Sequence, residues 1–326
     1  MKTKKTIRLV AIGGGSGLSH ILRGLKYGPY IITAIVTVAD DGGSTGRLRQ
    51  EMNIPAPGDV RNVLTALSKE ESLLNELMRY RFKTNGALSG HALGNLLLAA
   101  MTEITGDFGQ AVKALSRVLA VQGEVLPAAN IPVNLRATLV DGREILGESN
   151  IPSGGARISR IWLDPPHVTP LPAALSAIEK ADVIILGPGS LYTSLIPNLL
   201  VPGIVSAIAQ SPAQKIYIAN LMTQPGETDG YDVSDHIAAI EAHSRPHLFK
   251  TVIVNSAPLP EDVLMMYAQG GQAPVTADVE ALKRAGYHVV SAPLFALHDG
   301  IVRHDHAVLN ALMQKIIKPI QDEQHL

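Results

Sequence analysis

The stretch IRLVAIGGGSGLSHILRGL, residues 7–25, decides the reading of this chain. Its first half is an apolar, β-branched run that stops at Gly13-Gly14-Gly15-Ser16-Gly17. Leu18, Ile21, Leu22 and Leu25 then recur at helical spacing. A strand, a glycine turn and a helix start, in that order, turn free backbone N–H groups toward the place where an anion is stabilised. Glycines there let the main chain approach a phosphate closely. The stretch points to a nucleotide or another phosphorylated ligand, with a plain tight βα turn as the alternative. Neither standard phosphate signature is complete. Counted from Gly13 or Gly15, the last glycine of G-x-G-x-x-G falls on Leu18 or His20, and no Gly-Lys-Ser/Thr follows.

Composition narrows the classes. The 326 residues are 46% hydrophobic and 17% charged, enough for a large aliphatic core. A formal net charge of −1 offers no field for nucleic acid, and 4% aromatic residues leave few stacking platforms, so nucleic-acid binding is not expected. The chain has no cysteine, which excludes disulfides, thiolate metal sites and a cysteine nucleophile. From Val183 to Gln214 no residue is charged. Gly187-Pro188-Gly189, Pro197, Pro202 and Pro212 break that run, so it predicts a buried strand, a glycine turn and two short helices rather than a membrane span. The basic start, Met1 to Lys5, is followed by too short an apolar run for a signal peptide.

The pattern along the chain predicts an α/β fold. A second strand over 31–38 is followed by helical patterns. One of these runs from Ser68 to Phe82, with Leu73, Leu74, Leu77 and Tyr80 on one face; others span 92–104 and 109–121. Residues 123–163 turn β-like. Runs at 133–140 and 144–149 flank Asp141-Gly142, a hairpin signal, and 156–163 follows as a third strand. From Pro170, strands at 182–186, 215–219, 251–255 and 287–292 alternate with helices at 170–181, 232–242, 260–269 and 306–318. The expectation is one Rossmann-like domain over 1–326: a mostly parallel sheet with helices on both faces, and a helical plus β insertion at about 50–165.

Ligands in such sheets bind beyond the carboxyl ends of the strands. Five polar or glycine clusters fall there: Gly13–Gly17, Asp40–Gly46, Gly187–Ser190, Asn220–Gly230 and His298–His306. Asp40 stands 23 positions past Gly17, close to where a dinucleotide fold places its ribose acid. It could thus mark NAD(P); with Asp41 it could hold Mg²⁺ on a phosphate; or it could close an Asx turn. Ser44, Thr45, Arg47 and Arg49 offer phosphate partners, or solvated helix positions in the case of the arginines. Asp59 is a plausible N-cap, Asn62 and Asn95 are polar groups beside apolar runs, and His91 is a candidate acid or base. In Gly187-Pro188-Gly189-Ser190 a strand again runs into a helix start, with Ser190 as cap and Thr193 one turn later. Asn220 and Thr223 stand beyond the next strand. His304 and His306 lack the convergent partners of a transition-metal site, so Arg303 as a phosphate clamp is preferred.

Taken together, GGGSG, ADDGGSTGRLR, PGDVRN, SGHALGNLLL, GPGSLYTSLIPNLL and NLMTQPGETDGY resemble the YvcK family of bacterial gluconeogenesis factors, in a superfamily with CofD, the 2-phospho-L-lactate transferase. The resemblance implies a cytoplasmic, Rossmann-like protein that binds UDP-sugars such as UDP-N-acetylglucosamine. It implies a role in cell shape and envelope synthesis during gluconeogenic growth, through a cell-wall or carbon-metabolism partner, and it leaves a homo-oligomer open. Arg303 matches the position this branch uses for the UDP-sugar. A Mg²⁺-dependent phosphoryl or nucleotidyl transferase, with Asp40, Asp41 and His91 in the chemistry, is the competing reading; an NAD(P)-binding protein is a third.

Overall fold

The computed structural model describes residues 6–69, 73–298 and 300–323. Its frame is a parallel sheet of seven strands: β1 (Ile7–Gly13), β2 (Tyr30–Val36), β3 (Glu124–Pro127), β7 (Val183–Leu186), β8 (Gln214–Ile218), β9 (Thr251–Asn255) and β10 (His288–Ala292). Across the sheet they run β10-β9-β8-β7-β1-β2-β3. Every pairing between them is parallel. Two antiparallel additions complete the strands. One joins β4 (Asn134–Leu139), β5 (Glu144–Leu146) and β6 (Ile158–Asp164); the other is a ribbon of β11 (Phe295–His298) and β12 (Ile301–His304).

The central strands are near-continuous apolar runs because both of their faces are covered. Leu9, Ala11, Ile12, Ile184, Ile185 and Ile253 are fully enclosed, and one core unites the whole sheet. The helix Gly15–Leu25 buries Leu18, Ile21, Leu22 and Leu25, the stripe its spacing announces. It packs on the helices Pro57–Leu67 and His306–Glu323, while Pro172–Glu179 packs on Ile204–Gln210. The chain turns one way from β1 to β2 and β3, then crosses to β7 on the other side of β1. A crevice opens at such a reversal, between the loops after β1 and β7.

Four sequence expectations are corrected here. Strand β3 lies within the stretch read as an insertion, yet it is the edge of the main sheet beside β2. The second arm of the hairpin ends at Leu146 and a 3-10 segment, Glu148–Ser153, replaces its last residues. The helix expected over 68–82 is confined among the described residues to Leu73–Arg79; residues 70–72 lie outside the description. Its inner face is also different. Leu73, Leu77 and Tyr80 are exposed while Asn75 and Met78 are buried, because the short helix is fixed by its docking on Leu93–Thr105 rather than by its own apolar stripe. As the breaks at Pro197 and Pro202 predict, no single helix among the described residues is long and apolar enough to cross a membrane. The bent pair Leu191–Leu200 and Ile204–Gln210 has the composition, but breaks by 77°.

Candidate functional site

The glycine turn after β1 is held open by its neighbours. Gly13 O accepts Thr37 N at 3.0 Å and Asn198 Nδ2 at 3.2 Å, which fixes where the strand stops. Gly14 is the N-cap of the helix Gly15–Leu25 with no side-chain cap, and no acidic residue stands in the first turn. The helix start therefore keeps amides for a ligand beyond that of Gly15, which Asp59 accepts. A Cβ at Gly17 would lie 2.9 Å from Pro188 O, so only glycine allows the turns after β1 and β7 to approach this closely.

Opposite stands Gly187-Pro188-Gly189-Ser190, with a cis bond between Gly187 and Pro188. The expected helix N-terminus is a π turn, Leu191–Leu195, which Ser190 precedes without capping it. Its hydroxyl instead donates to Gln224 Oε1 at 2.6 Å. Asn220 braces the Gly189 peptide on both its N–H and C=O sides. Thr193 turns inward, donating to Glu227 Oε1 at 3.0 Å, and Thr223 closes a local pair with Ala273. Thr193 and Thr223 are thus structural residues away from the opening.

Between these turns is a cleft of about 610 Å³, lined by Gly15, Ser16, Gly17, Pro188, Gly189, Ser190, Asn220 and Arg303. Its fourth wall is the β11–β12 ribbon, which places Arg303 Nη1 3.4 Å from Ser16 Oγ. Val302 N donates to Tyr267 Oη at 2.8 Å and ties the ribbon to the helix Glu261–Gln269. Met222, Met266, Tyr267 and Ile301 make an apolar lip at the same opening. Four of the five sequence clusters contribute to this one cleft; Asp40–Gly46 lies beside it.

That fifth cluster divides in two. Asp40 Oδ1 accepts Gly42 N at 2.9 Å, an Asx turn. Its Oδ2 lies 2.7 Å from where a Gly58 Cβ would stand. Asp59, the third residue of the helix Pro57–Leu67 and not its cap, approaches a Gly14 Cβ position to 2.5 Å. Burial, and then Asp40 beside it, push the Asp59 carboxyl up to about 7, against a hydrogen bond from the Gly15 amide that favours the charged form. Asp41 faces away. Its two oxygens accept Glu148 N at 3.0 Å and Ser149 N at 2.9 Å, so it straps the 3-10 segment and is not paired with Asp40. The residues that fit a divalent cation are accordingly Asp40 and Asp59. No group of three His, Cys, Asp or Glu among the described residues is placed to hold a metal, so a cation would need ligand phosphate to complete it.

The remaining candidates are accounted for by their partners. Ser44 Oγ accepts Ala92 N and Asn95 Nδ2 and lies 3.2 Å from His91 Nδ1, so it supplies its proton to His91. Burial, and then Arg47, hold His91 below the usual histidine range. Asn95 and Asn62 both accept from Arg61. Thr45 is buried beside Gly58. Arg49, read as a phosphate partner, is buried and donates to the carbonyls of Asp40 and Val133. Arg47 reaches Ser89 O, outside the cleft. His304 donates to Ala219 O and His20 to His304 O, a buried chain that sequence spacing did not disclose. Also missed were Asp59, Glu148 and Glu227. Glu148 is raised to about 8 by burial and then Asp40, and Glu227 to about 7 by burial. All three belong to segments far apart in the chain, and no local pattern joins them.

Comparison with known proteins agrees with this architecture. Residues 9–295 match the family described as 2-phospho-L-lactate transferase CofD. The gluconeogenesis factor of Bacillus subtilis is 50% identical over 311 residues, spanning 95% of this chain and 98% of that protein. The gluconeogenesis factor of Halalkalibacterium halodurans is 52% identical, over 92% of this chain and 94% of that protein. The crystal structure of protein BH3568 from Bacillus halodurans superposes with a TM-score of 0.93 at 51% identity, covering 94% of this chain and 99% of that one. A second structure of it is described as a member of the UPF0052 family.

Proposed function

From the premise that the chain belongs to the CofD/UPF0052 family and is a homologue of the gluconeogenesis factors, we propose that its cleft binds a UDP-sugar of the UDP-N-acetylglucosamine type. The observation that carries this reading is Arg303 folded against Ser16 over the amide rim. A diphosphate carries two negative charges along a short chain. Two backbone turns and a guanidinium across a cleft of about 610 Å³ are matched to it, and the volume leaves room for a nucleoside and a sugar. The apolar lip of Met266, Tyr267 and Ile301 suits a base or sugar face. Among the described residues, the serines at the amide rim, Ser16 and Ser190, bond Arg303 and Gln224 and not a histidine or carboxylate, which favours a sensor over a covalent catalyst. The role that follows is regulatory: a cytoplasmic reporter of cell-wall precursor supply, acting on envelope synthesis and cell shape during gluconeogenic growth. Calorimetric titration with UDP-N-acetylglucosamine tests it. Saturable binding that Arg303→Ala abolishes is expected; no heat at millimolar ligand refutes it.

A second reading has its own observation, the buried Asp59 carboxyl against the glycine turn at Gly14, raised further by the charge of Asp40. A divalent cation held there would neutralise phosphate charge as in phosphoryl or nucleotidyl transfer. The chain's own part is to hold both carboxylates at the rim, with Asp59 giving up its proton when a cation takes its place. Product formation from nucleotide and phosphoacid mixtures, lost in Asp40→Asn, would favour this reading over the sensor.

A further inference from the structure

A second concentration of positive charge lies beside the cleft. Arg47 and Arg81 hold consecutive carbonyls of one turn: Arg47 Nη2 donates to Ser89 O at 2.6 Å and Arg81 Nη1 to Gly90 O at 3.0 Å. Arg61 joins them from within. It is 7% exposed and donates to Asn95 Oδ1 at 3.1 Å and Asn62 Oδ1 at 2.7 Å, both neutral amide oxygens. Its Nε is enclosed with no hydrogen-bond partner. Burial, and then repulsion from Arg81, draw the Arg61 guanidinium down to about 10, with Arg79 adding to the repulsion. None of these four arginines forms an ion pair with a carboxylate among the described residues.

The helix Leu93–Thr105 begins at the same place, with Ala92 as an N-cap that offers no side-chain bond and no acidic residue in its first turn. Its positive end adds to the cluster. A buried guanidinium is ordinarily paired with an anion, since desolvating it alone is expensive. Asp59 stands between the two regions, hydrogen-bonded by the Gly15 amide on one side and acting on Arg61 on the other.

We propose that Arg47, Arg61 and Arg81, at the start of the helix Leu93–Thr105, form a second anion site that takes the phosphate monoester of a small phosphorylated molecule. A dianion neutralises three guanidinium groups better than a carboxylate does, and the planar forks match its oxygens. This site is separate from the diphosphate cleft and does not depend on the UDP-sugar reading.

The test is calorimetric titration of inorganic phosphate, with acetate in parallel, into the wild type, the R47A/R81A variant and the R303A variant. Arg47 and Arg81 are exposed and each gives up one bond to the Ser89–Gly90 turn, so the double variant should stay folded and melt only slightly below the wild type without ligand. Saturable phosphate binding is expected in the wild type, weaker by about tenfold or more in R47A/R81A and within about twofold of wild type in R303A. The proposal is overturned by absence of saturable binding up to tens of millimolar, by equal weakening in both variants, or by loss in R303A alone. Acetate binding as tightly as phosphate overturns the monoester assignment. UDP-N-acetylglucosamine titrated into the same proteins reads the cleft by itself, so failure of one reading is distinguishable from failure of the other.

Discussion

Asn220 clasps the peptide of Gly189 from both sides: Gly189 N donates to Oδ1 at 3.2 Å, and Nδ2 donates to Gly189 O at 2.8 Å. One side chain from beyond β8 therefore sets the turn after β7. Asn220→Ala removes both bonds, each worth about 1 kcal/mol net, and should lower unfolding stability by about 1–2 kcal/mol in urea melts. Affinity for UDP-N-acetylglucosamine should fall by about tenfold, because the turn no longer faces the Ser16 rim. An affinity equal to wild type, measured by calorimetry, would place the diphosphate elsewhere.

Asp40 and Asp41 are adjacent in sequence but different in function. Asp41 accepts two amides of the 3-10 segment, whereas Asp40 accepts Gly42 N and its charge raises the Asp59 carboxyl. Asp41→Asn should cost about 1.5–3 kcal/mol of stability, the range for bonds to a charged acceptor, and leave any Mg²⁺ dependence of ligand binding in place. Asp40→Asn and Asp59→Asn should do the reverse. The readout is ligand affinity with and without Mg²⁺ in each variant; Mg²⁺ dependence that survives Asp59→Asn would remove that carboxylate from cation binding.

The stability that buried Glu227 contributes should fall as pH rises from about 4.5 to about 7. Glu227 is 2% exposed, and burial raises its carboxyl from 4.5 to about 7, despite hydrogen bonds from Thr193 and the Tyr192 amide. The native state thus holds a proton that the unfolded chain has already released, and this contribution fades as pH passes through about 7. Burial draws His304 down to about 4, which acts oppositely: its contribution is full above the unfolded value of 6.5 and is lost as pH falls toward 4. Between pH 5 and 7 the melting temperature of Glu227→Gln should gain on that of the wild type, since only the wild type loses this contribution. Equal slopes in the two proteins would mean that Glu227 does not hold the proton.

The frame of the molecule was legible because its signals are local. The apolar runs of β1, β7 and β9 and the stripe Leu18, Ile21, Leu22, Leu25 are each set by short-range spacing, and all fold as read. Loops after parallel strands must emerge at one edge, so the convergence of the Gly13 turn, the Gly187 turn and Arg303 could be anticipated from order alone. Orientation within those loops could not. Thr193 and Asp41 have polar side chains in glycine-rich loops, yet Glu227 and the Glu148 amide claim them from elsewhere in the chain. Asp59 read as a helix cap because aspartate so often is one; its closeness to Gly14 follows from how the helix Pro57–Leu67 packs on Gly15–Leu25. The exposed Leu73 and Leu77 show the same limit, since tertiary docking overrode an amphipathic stripe in a helix of seven residues.

Gly17 is where the two turns meet, and a methyl group there tests the cleft directly. Its Cβ would stand 2.9 Å from Pro188 O and 3.2 Å from Gly189 N. Those are main-chain atoms that the Asn220 clasp keeps from retreating. Gly17→Ala should therefore cost about 1–3 kcal/mol of stability by overpacking. It should weaken UDP-N-acetylglucosamine binding by more than about tenfold, as the amide rims are pushed apart. Gly86→Ala is the matched control: nothing lies within 4 Å of its Cβ position, and both melting and binding should stay at wild-type values. Full ligand affinity in a folded Gly17→Ala protein would show that the approach of the two turns is not what the ligand uses.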